Sequence, residues 1–174
     1  MSVRFELDPA VTPEVRDGIC ALWAEVANAG GAVGFAPPVT PEDIRPGLVR
    51  HLAAMAEKRE RLLIGRDGDG RVAATAFLTF NWHWMSTHWL WVYTVMVHPA
   101  RQGQGVGRAL MAAVADAARG IDGIIGLRLT CRGGTGLRRF YEACGYQEIG
   151  RAPRAIKLAD GDFRDDVTMW LDLA

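Results

Sequence analysis

Apolar and polar positions along the chain follow two rhythms, and their alternation sets out a series of short elements. Residues 3 to 7, VRFEL, alternate apolar with polar as a half-buried strand does. Asp8-Pro9 ends that strand, and Thr12-Pro13-Glu14 supplies an N-cap with proline at the first helical position. The spacing then turns helical. Val15, Ile19, Leu22, Trp23 and Val26 share one face, up to a stop at Gly30-Gly31. Residues 28 to 39, NAGGAVGFAPPV, break both rhythms with glycine and proline, and predict a mobile loop with Phe35 pointing outward. A second cap, Thr40-Pro41-Glu42-Asp43, opens a helix whose face carries Ile44, Leu48, His51 or Leu52, and Met55.

Two runs at residues 61 to 66 and 71 to 80 flank Asp67-Gly68-Asp69-Gly70 and predict a β-hairpin. A polar and aromatic connection, Asn81 to Thr87, leads into a central strand at about 88 to 97. The helix after it has a stripe of Val106, Ala109, Leu110, Ala113, Val114 and Ala117, closed by Gly120. Residues 125 to 131 form a strand. A helix with Leu137, Phe140, Tyr141 and Cys144 on one face follows, and Gly145 stops it. Residues 146 to 152 and 166 to 172 read as two final strands joined by a charged loop with Asp160, Asp162, Arg164 and Asp165. The predicted order is β, α, α, β, β, β, α, β, α, β, β. It implies a single α/β domain over residues 1 to 174, with a mixed, mostly antiparallel sheet flanked by helices.

Composition narrows the class without naming it. A chain of 174 residues, nearly half of them apolar, can bury one proper core. Twenty basic residues balance twenty acidic ones, so no global field points to nucleic acid. No run approaches the ~18 to 20 apolar residues of a membrane helix, and the charged start MSVRFELDPA is unlike a signal peptide. Cys20, Cys131 and Cys144 have no metal-like spacing and are expected as reduced thiols in the cytoplasm. His83 and His88 lack a neighbouring carboxylate or cysteine, so no metal is expected.

The chemistry concentrates in residues 88 to 110, HWLWVYTVMVHPARQGQGVGRAL, where a buried strand runs into a glycine turn and then a helix. Backbone N–H groups converging at a helix N-terminus, with the dipole behind them, suit a phosphate. A dinucleotide fold wants Gly-x-Gly-x-x-Gly after a first strand, but here Gly103, Gly105 and Gly107 are evenly spaced and come late. A P-loop needs Gly-Lys-Ser/Thr, which Gly107-Arg108-Ala109 does not supply. Gln102-x-x-Gly105-x-Gly107, directly after a V-x-V-H-P strand end, resembles the acetyl-CoA signature of the GNAT N-acetyltransferase superfamily. Downstream, RRFYEACGYQEIG matches that family's F-Y-E-x-x-G-[FY] segment, and the order of elements resembles the GNAT fold along the whole chain.

The resemblance implies acetyl-CoA as cosubstrate and direct acyl transfer to an amine in a ternary complex. It assigns coenzyme A to Val95, Met96 and Val97 on the strand and to Arg101, Gln102, Gly103, Gln104, Gly105, Val106, Gly107 and Arg108 in the turn. Arg101 and Arg108 are candidates for charge-assisted phosphate contacts. Tyr141 matches the family's general acid; its ordinary pKa of about 10 lies near that of a departing thiol. The family's usual asparagine before the tyrosine helix is missing, leaving Arg132 or Thr135 to substitute. The central strand carries no Asp or Glu as base, so a water chain, with His83 or His88 as alternatives, is expected to take the amine proton. A Cys131 nucleophile lacks an activating histidine.

For the acceptor, strand alternation puts Trp89, Trp91 and Tyr93 on one face. Such a face suits an aromatic or cationic amine, while most of the neighbouring tryptophans are expected to pack in the sheet or core. The Gly/Pro-rich loop with Phe35 and the acidic loop at 160 to 166 are the expected pocket walls. The expected partner is a small-molecule amine, with a peptide or protein amine as the wider class and a homodimer compatible. A non-catalytic acyl-CoA sensor and a nicotinamide oxidoreductase are the competing functions.

Overall fold

The computed structural model describes residues 3–174. Strand β1 (Arg4–Leu7) leads to α1 (Pro13–Asn28), which the Thr12 hydroxyl caps by accepting the Val15 N–H. Helix α2 (Pro41–Ala56) opens with a reciprocal capping box: the Thr40 hydroxyl accepts the Asp43 N–H, and the Asp43 carboxylate accepts the Thr40 N–H at 2.8 Å. Strands β2 (Glu60–Arg66) and β3 (Val72–Phe80) form the predicted hairpin, its turn held by the Asp67 carboxylate, which accepts the N–H groups of Asp69 and Arg71. A 3-10 turn at Trp84–Ser86 precedes β4 (Trp89–Val97), and another at Pro99–Arg101 precedes α3 (Val106–Arg119). Strand β5 (Gly126–Arg132), the short α4 (Leu137–Glu142), β6 (Gln147–Ala159) and β7 (Asp162–Asp172) complete the fold.

The seven strands make one sheet in the order β1-β2-β3-β4-β5-β7-β6. Every neighbouring pair is antiparallel except β4 and β5. Each face carries its own core. Leu78, Leu90, Val92, Leu127 and Met169 of the sheet meet Leu110 and Val114 of α3, with Tyr141 and Tyr146 in the same layer. On the opposite face, Leu62, Ile64, Phe77 and Met96 meet Ile19, Leu22 and Trp23 of α1 and Ile44 and Leu48 of α2.

Three expectations are corrected. The final hairpin is much longer than its apolar pattern implied: β6 runs to Ala159, and only Asp160 and Gly161 lie between it and β7. The charges read as a loop instead pair along and across this ribbon, as Arg151 does with Asp165 at 3.0 Å. Trp82 and Trp84, expected to pack, are 90% and 77% exposed, because the 3-10 turn between β3 and β4 carries them beyond the sheet. Phe35, expected to point outward, is half-buried and meets Trp23 edge to face at 5.6 Å. Its loop is tied down where the Asn28 side chain donates to the Val39 carbonyl and accepts the Val39 N–H.

Candidate active site

The site begins with a fault in the sheet. Register between β3 and β4 slips between the Thr75–Met96 and Phe77–Tyr93 pairs, so Thr94 and Val95 together oppose Ala76. Thr94 has φ 51°, a left-handed conformation that a β-branched residue rarely adopts. The hydroxyl of the fully buried Thr75 donates to the Thr94 carbonyl at 3.2 Å and secures the kink. One extra residue reverses the side-chain alternation. Leu90 and Val92 lie in the α3-side core, whereas Met96 lies in the α1/α2-side core. Ahead of the kink β4 has already left its parallel neighbour, pairing with β5 only from Trp89 to Trp91. From Val92 onward its edge toward β5 has no ladder partner.

The glycine turn lies at the end of that open edge. Gly105 caps α3 with φ 82° and without a side-chain hydrogen bond, so the first N–H groups of the helix remain available to an outside acceptor. Gly107 has a different reason to be glycine: a Cβ there would sit 3.2 Å from the Phe140 ring, which closes the turn against α4. The Gln102 side chain donates to the Val97 carbonyl at 3.0 Å and ties the turn to the strand end.

A cleft of about 660 Å³ joins these parts. Val95, Met96 and Val97 line it, as do Gln102, Gly103, Gly105, Gly107 and Arg108, and Tyr141 closes it from α4. Three residues assigned to coenzyme A do not line it. Arg101 turns instead to Asp67 of the β2–β3 hairpin, 3.5 Å away, because the 3-10 turn lies beside that hairpin. Gln104 folds back to donate to the Ala100 carbonyl at 2.8 Å, and Val106 packs on the α3-side core. Of the two residues named in place of the missing asparagine, Thr135 lines the cleft, its hydroxyl donating to the Arg132 carbonyl, and Arg132 does not.

The wall facing the turn belongs in part to the glycine- and proline-rich loop expected as a pocket wall. It is the end of α1 and the segment after it, from Val26 through Gly30 and Gly31 to Val33. The Trp23 indole N–H donates to the Val33 carbonyl at 2.8 Å and fixes this segment. Its sequence signal was the glycine pair, which marks a helix end as readily as a wall that a ligand can approach.

Burial drives the Tyr141 hydroxyl far above the ordinary tyrosine range, and the charges of Cys131 and Cys144 would push it further. The hydroxyl therefore stays protonated at neutral pH. Burial likewise raises the Cys131 thiol to about 11, with Asp166 and Glu148 adding to it, which leaves little thiolate to act as a nucleophile.

On the sheet face away from α3, Trp89, Trp91 and Tyr93 stand in a row, Trp91 and Tyr93 stacked at 5.5 Å. The place expected for a cationic amine is taken: the Arg128 guanidinium lies 4.5 Å from the Trp91 ring centre. Of the expected walls, the loop lines the cleft through Ala29 to Val33, whereas Phe35 and the β6–β7 turn do not. His83 accepts the Met85 N–H in the 3-10 turn, and His88 is exposed just before β4. A half-buried polar group was missed altogether. Glu60 contacts His51 Nδ1 at 2.6 Å and accepts from the Thr79 hydroxyl at 2.9 Å, and the His51 ring stacks on Phe77, the cross-strand partner of Tyr93. These residues come from three separate elements, so no spacing announces them. Among the described residues, no three His, Cys, Asp or Glu side chains converge as a metal site would need, and no helix is long and apolar enough to cross a membrane.

The family model for the acetyltransferase (GNAT) family matches residues 32–146, more than half of the chain. The protein therefore belongs to the GNAT acetyltransferase family. Solved structures share its fold throughout. One, assigned as a phosphinothricin N-acetyltransferase, has a TM-score of 0.81 at 22% identity, covering 99% of each chain. An assigned acetyltransferase from Salmonella typhimurium, yncA, solved with acetyl-CoA, has a TM-score of 0.77 at 18% identity over 100% of this chain and 95% of that one. The spermidine/spermine N-acetyltransferase SpeG from Vibrio cholerae gives 0.71 at 16% identity over 98% and 93%. No curated protein sequence matches the chain significantly.

Proposed function

We propose that this protein is an acetyl-CoA-dependent N-acyltransferase that acts on a primary amine, of a small molecule, by direct transfer in a ternary complex. One observation carries the reading: a single cleft joins the uncapped N-terminus of α3, the unpaired edge of β4 and the hydroxyl-bearing face of α4. The residues present fit coenzyme A. Its pyrophosphate suits the free N–H groups and Arg108, and its amide-bearing pantetheine arm suits a strand edge that lacks a partner. Acetyl-CoA from yncA's own structure is consistent with this assignment, since the two chains share the fold. When bound, the thioester supplies a carbonyl open to attack by an amine.

The chain's own groups then have defined tasks. Backbone N–H groups near the Thr94–Val95 kink are the candidates to hold the carbonyl oxygen, and they are set in place before any ligand arrives. Tyr141, protonated at neutral pH, can donate to the sulfur as it leaves. The amine must arrive neutral or lose its proton to solvent, because no carboxylate or imidazole is among the side chains that line the cleft.

That same absence favours a second reading, a sensor that binds acyl-CoA without transferring its acyl group. Thiol release from acetyl-CoA with a panel of amines, alongside calorimetric titration of acetyl-CoA, separates the two. Transfer to at least one amine is expected. Tight acetyl-CoA binding with no transfer to any amine or peptide would favour the sensor, and failure to bind acetyl-CoA at all would remove both.

A further inference from the structure

His51 and Glu60 form an oriented acid–base pair that has no task in holding coenzyme A. Glu60 opens β2, Thr79 opposes it on β3, and Trp91 opposes Thr79 on β4. All three therefore stand on the sheet face away from α3. One Glu60 oxygen accepts the Thr79 hydroxyl at 2.9 Å, and the other meets His51 Nδ1 at 2.6 Å. A carboxylate can only accept, so Nδ1 donates and the neutral ring carries its lone pair on Nε2. Nε2 has no partner among the described residues. Nor is it one of the buried orphan atoms there, which belong to Arg128, Arg132 and Tyr146, so it reaches solvent. The two side chains are 18% and 9% exposed, shielded but not sealed. A carboxylate that fixes an imidazole and leaves the far nitrogen open is the arrangement that orients a general base. A mere tie between α2 and β2 needs no titratable pair, since apolar side chains hold such a contact at least as well.

The ring also leans toward the reaction centre. It stacks on Phe77 at 4.1 Å, and Phe77 pairs with Tyr93, the residue before the β4 kink. Strand spacings of ~4.8 Å across and ~3.4 Å along put the ring about 10 Å from the Thr94–Val95 N–H groups, within reach of a short water chain. Tyr93, between them, is 40% exposed and leaves that path open to water. Burial raises the Tyr93 hydroxyl above its ordinary range, Arg128 opposes the rise and Glu60 adds to it, so the field of the pair extends over this path. The ionisable groups facing His51 are thus Glu60 of β2 and, past Phe77, Tyr93 of β4 with Arg128 of β5 beyond it; α1 presents the uncharged Trp23 ring.

We propose that His51 takes the proton of the attacking amine, relayed by solvent over Tyr93, and that Glu60 is the residue that positions it. This assignment rests on the acyl-transfer reading and deepens it. Nε2 receives one proton of the ammonium, which frees the nitrogen lone pair to form the C–N bond. Tyr141 protonates the sulfur as the C–S bond breaks, and regains its proton through solvent from the second N–H of the amine. The imidazolium then passes its proton to bulk water.

The test follows kcat/KM with acetyl-CoA and the most active primary amine of the panel from pH 7 to 9.5. An amine with an ordinary pKa near 10 becomes neutral about tenfold per pH unit over that range. The unmodified protein should gain less than tenfold across it, because His51 does the deprotonation. His51→Gln should lose about 10²-fold at pH 7 and recover to within about fivefold at pH 9.5, where much of the amine arrives neutral. Glu60→Gln should lose about tenfold at pH 7 with the same recovery. Acetyl-CoA affinity should stay within twofold in both variants. A His51→Gln loss that is absent, or equal at both pH values, overturns the assignment. So does a gain of more than 10²-fold in the unmodified protein, a measurement that needs no variant to fold. These outcomes leave the transferase standing, whereas acetyl-CoA binding without transfer to any amine overturns both together.

Discussion

Tyr141 shows how burial alters what a residue can contribute. Its hydroxyl stays protonated far past neutrality, so it acts as a standing donor rather than a group poised to titrate. Tyr141→Phe is expected to lower turnover tenfold or more while acetyl-CoA affinity barely moves. In the unmodified protein kcat should not fall between pH 7 and 9.5; a descending limb in that range would contradict the donor role. The two arginines of the glycine turn divide along the same physical line. Arg108 lines the cleft, whereas Arg101 is held by Asp67. Arg108→Gln should weaken acetyl-CoA binding about tenfold, the equivalent of ~1.4 kcal/mol, and Arg101→Gln by no more than twofold. Titration calorimetry on both variants checks the division. Sequence spacing put both arginines beside the phosphates, and only a contact with a hairpin more than thirty residues upstream separates them.

At the scale of elements, the glycine turn combines a backbone requirement with a binding role, and the two can be pulled apart. Gly105→Ala forces a side chain into φ 82° and should cost about 1–2 kcal/mol of stability together with roughly tenfold in acetyl-CoA affinity. Gly123 has φ 78° but does not line the cleft, so Gly123→Ala should lose comparable stability and no affinity. Equal affinity losses in both variants would mean that the turn acts only through folding. Most elements were legible because a buried face imposes a period: Val15, Ile19, Leu22, Trp23 and Val26 mark α1, and all five are buried. The long β6–β7 ribbon was not, since its residues are largely exposed and cross-strand charge pairs leave no apolar rhythm. Nor was the kink in β4. Tyr93 to Val97 reads as an unbroken β-favouring run, and a one-residue slip is defined only against its partner β3. The turn and Tyr141 could be located from motifs and the wall after α1 from its glycine- and proline-rich composition, whereas the Glu60–His51–Thr79 group depends on contacts between distant elements.

Across the whole molecule, the cleft opens where β4 and β5 part, directly against the α3-side core, so groups that ionise are buried beside a working surface. Cys131, Tyr141 and Tyr146 all belong to this layer, and burial raises the pKa of each. The unfolded chain loses the Cys131 proton near its ordinary value of 9.0, while the folded protein keeps it to about 11. Between those values the unfolded state binds fewer protons than the native state, so stability must fall as pH rises. Below pH 8 these groups are protonated in both states and contribute no slope. Cys131 alone should remove about 2 kcal/mol by pH 10.5, and the two tyrosines steepen the decline above pH 10. Urea unfolding from pH 7 to 10.5 measures it. Cys131→Ala should be less stable than the unmodified protein at pH 7, because it leaves a small void, yet its stability should decline less with pH, so the two curves converge at the alkaline end. Curves that stay parallel would show that the Cys131 thiol titrates alike in the folded and unfolded chain, and would move the origin of any alkaline loss to the tyrosines.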